Sequence, residues 1–351
     1  MIKDKRNYGI ELLRLVLMLM ICMLHTLGKG GILGASTRGT IQYSVFWFME
    51  IFSYCAVDSF AIISGYTATN KPKKYEKLVN LWFQVFFYSF ILTVILTLIG
   101  LNKNFSITSL IKSAFPITTN YYWYMSAYFC LFLAIPFLNP LLFSIDEKTA
   151  KKMIIFIVAF FSVMSLLKDP FYMNGGYSAL WIMVLYCFGA LAKKVKMFEK
   201  KNVFFLIILW LVSIISTWVL YVCFDIQIIV NYISPPILMS GFLMVLLFSK
   251  IKLKGKIISK ISPLALGIYL FQLNAIIWDD YLNKAYVFIV NKNIFTGILL
   301  VLAFAGLLFL AGLIVEFIRS KLANILKISK LSEKIVKIID CLVNKLTFFL
   351  K

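Results

Sequence analysis

The stretch YGIELLRLVLMLMICMLHTLGKG, residues 8 to 30, is apolar enough to cross a bilayer, yet it carries Glu11, Arg14 and His25, the last being the only histidine of the chain. A histidine can take up and release a proton near neutral pH, and an arginine holds phosphate or carboxylate oxygens with a planar fork that never loses its charge. Arg14 and His25 are eleven positions apart. At about 100° per residue this returns to within roughly 20° of the same helical face, with a rise of ~16 Å, so both side chains can line one cavity at two depths. Glu11 precedes Arg14 by three residues and can pair with it on the helix surface. The same groups also suit a plainer role, in which Glu11 and Arg14 snorkel to one interface and His25 to the other. Spacing alone leaves both readings standing.

The elements that must position these residues follow from composition. With 62% hydrophobic residues, 15% charged residues and a mean hydropathy of +0.90, the 351-residue chain lies outside the soluble range and is expected to be an all-α polytopic membrane protein. Its net charge of +21 does not imply nucleic acid, because the positive charges fall in short clusters between long apolar runs. The six cysteines, at 22, 55, 130, 187, 223 and 341, show no CxxC pair and imply neither a disulfide framework nor a metal site. The first apolar run lacks a small-residue cleavage site and is expected to remain as a helix.

Ten apolar runs of spanning length are expected, at about 9–28, 41–66, 78–101, 121–145, 151–167, 171–192, 202–224, 230–249, 261–278 and 293–315, the fifth being the shortest. With the N-terminus inside, the inner segments hold 28 of the 36 Lys and Arg residues and the outer segments 7, which places both termini in the cytoplasm. Residues 1–316 thus form one transmembrane domain. The remaining 317–351, FIRSKLANILKISKLSEKIVKIIDCLVNKLTFFLK, reads as a basic amphipathic helix on an anionic inner leaflet. No soluble catalytic domain and no convincing internal repeat are expected.

The order of several short blocks resembles the membrane-bound acyltransferase 3 family, whose members O-acylate bacterial cell-surface glycans. Arg, ten residues, His in the first helix, preceded by GIELLR, looks like the family's first-helix pattern. VDSFAIISGY (57–66) is similar to its second-helix block, with Asp58 and Ser64-Gly65-Tyr66 at the matching places. KPKKYEKL (71–78) sits where the family carries a basic cluster, here of lysine and not arginine. YYWYMSAYFCLFLAIPFLNPLL (121–142) looks like its aromatic fourth helix, with Trp123 and Tyr124 central. ISPLALGIYLFQLN (261–274) is similar to a late block usually reading Tyr-x-x-His, with Gln272 in place of that histidine. The resemblance covers about residues 6 to 316.

It implies transfer of an acyl group, acetyl in the simplest case, from cytoplasmic acyl-CoA to a hydroxyl of an exported polysaccharide or its lipid-linked precursor, at the cell membrane and without a metal. The implied donor residues are Arg14, Lys73 and Lys74, which would hold the nucleotide phosphates while the slim pantetheine arm enters the bundle. His25, aided by Arg14 and Glu11, would act as base or as a transient acyl carrier, without a second imidazole because Gln272 takes no proton. Ser64, Tyr66, Trp123 and Tyr124 are candidates for stabilising the oxyanion or stacking on sugar, although helix packing and an interfacial aromatic belt explain them too. Asp58 is expected to be paired or protonated and structural. Glu50 lies near the depth of His25 and either orients it or is a solvated residue of the mouth. The expected partners are a glycan acceptor, lipids and separate glycan-assembly proteins; the alternative is a flippase or other carrier of lipid-linked oligosaccharide. A reporter fused after Lys351 is expected to map to the cytoplasmic side, and a fusion active only on the opposite face would overturn the orientation.

Overall fold

The computed structural model describes residues 7–71, 74–253 and 255–348, and among these it contains helices and no strand. Inside hydrocarbon every backbone N–H and C=O must be satisfied within its own segment, which is why these apolar runs form helices. They are α1 (Tyr8–Leu27), α2 (Ile41–Tyr66), α3 (Tyr75–Leu98), α4 (Trp123–Ser144), α5 (Glu147–Lys168), α6 (Ala179–Lys194), α7 (Val203–Val222), α8 (Pro235–Ser249), α9 (Lys256–Gln272), α10 (Ile276–Asn291), α11 (Ile294–Ile325) and α12 (Ile328–Phe348).

Each expected apolar run falls on a helix, but they are not ten equivalent spans. Seven helices, α1 to α5, α7 and α11, are long and apolar enough to cross a membrane, and the pair α9–α10, bent by 66° at a short break, raises the number to at most eight. The other two, α6 and α8, have 16 and 15 residues, short of the roughly 20 that a straight span needs. The expected fifth run, the shortest in apolar letters, belongs to a 22-residue helix because Asp146 caps it five residues upstream and its first turns carry the lysines. The expected start of the tail at 317 falls inside α11, which continues to Ile325.

The lipid-shielded centre is built by α1 and α2, most of whose residues are buried, while α7 and α11 turn apolar side chains such as Phe204, Leu307 and Ile314 outward. Asn7 fixes the start of α1: its side-chain oxygen accepts from the N–H of Gly9 and Ile10, and its amide donates to the Ser249 carbonyl at the end of α8. One of the tightest helix approaches is between α2 and α6. A Cβ at Gly65 would lie 1.9 Å from the Tyr186 carbonyl oxygen, and one at Gly189 would lie 2.3 Å from that of Ile62. Small residues at such a crossing let two backbones approach where lipid offers no hydrophobic incentive for association.

The break between α9 and α10 is stabilised from within. Asn274 donates to the Tyr88 carbonyl and to Thr93, each at 2.8 Å, and accepts from the Ile276 N–H, while Tyr121 accepts from the Ala275 N–H. The Tyr88 carbonyl is available because α3 changes to π-helical geometry over Phe87–Ile91. The amphipathic α12 packs along α3, with Ser332 buried and donating to Asn80 at 3.0 Å. One added methyl in the α2–α6 contact should cost about 1–3 kcal/mol as overpacking. Gly65→Ala is therefore expected to lower the thermal midpoint in detergent, whereas Gly34→Ala, where a Cβ meets nothing within 4 Å, should leave it near wild type. Equal midpoints for the two variants would refute the contact.

Candidate active site

A single cavity of about 1430 Å³ runs along α1 and gathers most of the residues singled out by sequence. Its basic end is lined by Glu11 and Arg14 of α1, by Lys71 and Lys74 before α3, by Lys77, Asn80 and Gln84 of α3, and by Arg319 of α11. Glu11 Oε1 accepts from Arg14 Nη1 at 3.1 Å, the pairing that their spacing suggests. Lys73 lies outside the described residues. His25 lines the other end of the cavity, so that Arg14 and His25 occupy one space at two depths.

The His25 ring is set edge-on against Trp278 of α10, with centroids 4.8 Å apart and planes at 82°, and its Nδ1 is buried without a hydrogen-bond partner among the described residues. The break at Asn274 is what brings Trp278 back over α1. Gln272, fully buried and outside the cavity lining, faces His25 and Cys22 from behind, with neither amide atom in good hydrogen-bond geometry. It packs against the imidazole and is not placed to touch a substrate in the cavity.

Between the two ends lie Ser64, Tyr124, Tyr128 and Tyr269. Among the described residues the hydroxyls of Tyr124 and Tyr269 are buried and donate to no acceptor, a costly state unless something else supplies one. The Ser64 hydroxyl donates to the Phe60 carbonyl of its own helix at 3.1 Å, so its proton is committed and it is a poorer oxyanion donor than the sequence suggested. Around the His25 end stands an aromatic group. Tyr54 stacks on Tyr232 at 4.4 Å, and Trp123 and Tyr177 approach each other at 4.7 Å. Glu50, beside them, is not a solvated residue of the mouth: it is 8% exposed, its Oε2 has no partner, and no contact with His25 supports an orienting role.

Two further candidates are turned elsewhere. Asp58 is fully buried, accepts from Trp181 Nε1 at 3.1 Å and does not line the cavity, which fits the structural role expected of it and removes it from the substrate contacts. Tyr66 is also absent from the lining. Its hydroxyl donates to Glu199 Oε1 at 3.1 Å, and Lys193 donates to both, so Tyr66 belongs to a clamp between α2 and the connection after α6. Sequence reasoning passed over Arg319, Tyr128, Tyr269, Tyr54, Tyr177, Tyr232 and Trp278. Signals existed for two of these: Glu316 precedes Arg319 by three residues as Glu11 precedes Arg14, and Tyr269 is the tyrosine of the late block that usually reads Tyr-x-x-His.

The family is decided by a match to the acyltransferase domain of the acyltransferase 3 family over residues 7–318. The chain belongs to the acyltransferase 3 family. No curated protein and no solved structure gives a significant match. Membership, together with the apolar helices, makes the chain a multi-pass membrane acyltransferase. The family's match ends two turns short of the end of α11 and includes every cavity residue named above except Arg319, which lies one position beyond it.

The clamp at Tyr66 generates a pH-dependent expectation. Burial raises the Glu199 carboxyl, but hydrogen bonds and charge from Lys193, with Tyr66 and Lys196, outweigh it and hold the group below the usual carboxylate range. A depressed carboxyl contributes stability that is present above its unfolded pKa and is lost as pH falls through its folded one. Because Lys193 is half exposed, Glu199→Gln should cost only about 0.5–1 kcal/mol at pH 7. The deficit should shrink once pH drops below about 4.3, and a thermal-midpoint deficit that stays constant down to pH 3 would show that the charge of Glu199 is irrelevant.

Proposed function

We propose that this acyltransferase moves an acyl group, acetyl in the simplest case, from acyl-CoA to a hydroxyl of an exported polysaccharide or its lipid-linked precursor. The reading rests above all on one observation: Arg14 and His25, the cation and the only imidazole, project from one helix into opposite ends of one cavity. The basic end would face the cytoplasm, as the lysine distribution suggests, and would hold the nucleotide phosphates through Arg14, Lys73, Lys74 and Lys77. The pantetheine arm would pass the apolar middle, where Met18 and Ile21 face the cavity, and present its thioester near His25.

There the imidazole would remove the proton of a sugar hydroxyl while the oxygen attacks the thioester carbonyl carbon. The C–O bond forms, the carbonyl electrons collect on an oxyanion, and their return breaks the C–S bond to release the CoA thiol, which regains the proton from His25. The unpartnered hydroxyls of Tyr124 and Tyr269 are the donors best suited to that oxyanion. Tyr54, Trp123, Tyr177 and Tyr232 offer apolar ring faces to the acceptor sugar, with Glu50 available for one of its hydroxyls. Family membership sets this reading ahead of a flippase for lipid-linked oligosaccharide.

Two substitutions separate catalysis from snorkelling. His25→Gln keeps hydrogen bonding but takes no proton, and is expected to reduce acylation of the surface glycan, read by mass spectrometry, at least 100-fold at unchanged protein level. Arg14→Lys snorkels as well as arginine yet loses the fork, and should lose most activity. Acylation near wild type in His25→Gln would overturn the mechanism.

A further inference from the structure

We propose that Glu316 and Arg319 of α11 form a second phosphate-holding fork at the basic end of the cavity, acting beside Arg14 on the phosphate esters of the donor. The proposal deepens the acyl-CoA reading above and rests on it.

The geometry is that of a guanidinium held by one edge and offered by the other. Arg319 Nε donates to Glu316 Oε2 and Nη2 to Oε1, both at 2.7 Å, while Nη1 has no hydrogen-bond partner among the described residues and the side chain lines the cavity. An arginine has five N–H donors in a fixed plane, so a bidentate contact on one edge leaves the rest aimed in a set direction. Glu316 is itself fixed. It is 2% exposed, accepts from Gln84 Nε2 at 3.0 Å and from the Tyr88 hydroxyl at 2.8 Å, and lies against Gly267 of α9, where a Cβ would come within 2.4 Å of Oε2 and 2.5 Å of Cγ.

Taking such an ion pair out of water is expensive, and well-packed apolar residues usually serve stability as well or better. Orientation of the free edge gives the pair a use that stability does not. The arrangement also repeats one already present. Glu11 and Arg14 have the same three-residue spacing on α1, α1 packs on α11, and both arginines line the same cavity, as do Lys74 and Lys77. Two guanidinium groups with two ammonium groups suit a ligand carrying several phosphate oxygens, and Asn324 of α11, which also lines the cavity, adds a neutral donor. A nucleotide with a diphosphate and a separate phosphate monoester meets that description better than a single anion does.

The full-length protein in zwitterionic nanodiscs, titrated calorimetrically with coenzyme A, dephospho-CoA and pantetheine, tests this. Arg319→Ala should weaken coenzyme A binding about 10–100-fold and leave pantetheine binding within twofold. Because Arg319→Ala strands a buried carboxylate, the pair Glu316→Gln/Arg319→Ala and the milder Arg319→Lys are measured beside it; the first should match Arg319→Ala and the second should fall between it and wild type. Gly267→Ala, which touches Glu316 and not the cavity, should also weaken coenzyme A selectively. Coenzyme A affinity unchanged in all four variants overturns the inference alone. Equal losses for coenzyme A and pantetheine make the pair structural and overturn it as well. Wild-type protein that binds no coenzyme A overturns the donor reading and this inference together. If Arg319→Ala loses only co-purified anionic phospholipid, with coenzyme A affinity intact, the fork belongs to a lipid headgroup and the donor role falls.

Discussion

An ionisable side chain within the hydrocarbon thickness must find a partner, a water-filled space or a neutral form, and the placement of nearly every charge in this bundle follows from that. Glu11 with Arg14 and Glu316 with Arg319 answer it by pairing along their own helices. Asp58 answers it with an indole N–H, and His25 and Glu50 by bordering the cavity. The break at Asn274 obeys the same constraint for backbone groups, since a π-helical stretch in one helix frees the carbonyl that caps the bend in another. The bend in turn sets Trp278 against the imidazole. Catalytic geometry and membrane solubility are thus met by the same contacts.

What could be read from sequence was whatever depends on neighbours within one helix. The bounds of α2, 41 and 66, follow from a long run that is apolar apart from Gln42, Glu50, Asp58 and a few serines and ends before the lysines beyond, and the common face of Arg14 and His25 follows from helical period alone. Side chains whose fate is set by distant partners were not legible. Tyr66 looked like a substrate contact until Glu199, 133 positions away, took its hydroxyl, and Asp58 is matched to Trp181, 123 positions away. Glu50 looked solvated because depth along a helix does not say which neighbour covers it.

Charge counting misplaced Arg319 for a related reason. Among the lysines of the last 35 residues it reads as one more interfacial cation, and an apolar average ends the helix before it. Its buried carboxylate partner hides the charge from lipid and lets α11 continue to Ile325. The short helices α6 and α8 were over-read in the opposite sense, because apolar loops beside them lengthened the runs.

The cavity has an electrical consequence. Each elementary charge that leaks through a bilayer dissipates about 2.3 kcal/mol per 100 mV of stored voltage. Between the lysines at one end and the indoles at the other, the wall includes Leu24, Val57, Phe60, Ile63, Leu266 and Leu273, which offer no hydrogen bonds to a file of water. A flexible carbon arm can thread such a collar, whereas a hydrated ion would have to shed its shell there. These apolar side chains share the wall with the hydroxyls of Ser64, Tyr124, Tyr128 and Tyr269, so they raise the cost of a continuous file of hydrated ions and limit the leak that polar chemistry at both ends would otherwise invite in an energised membrane.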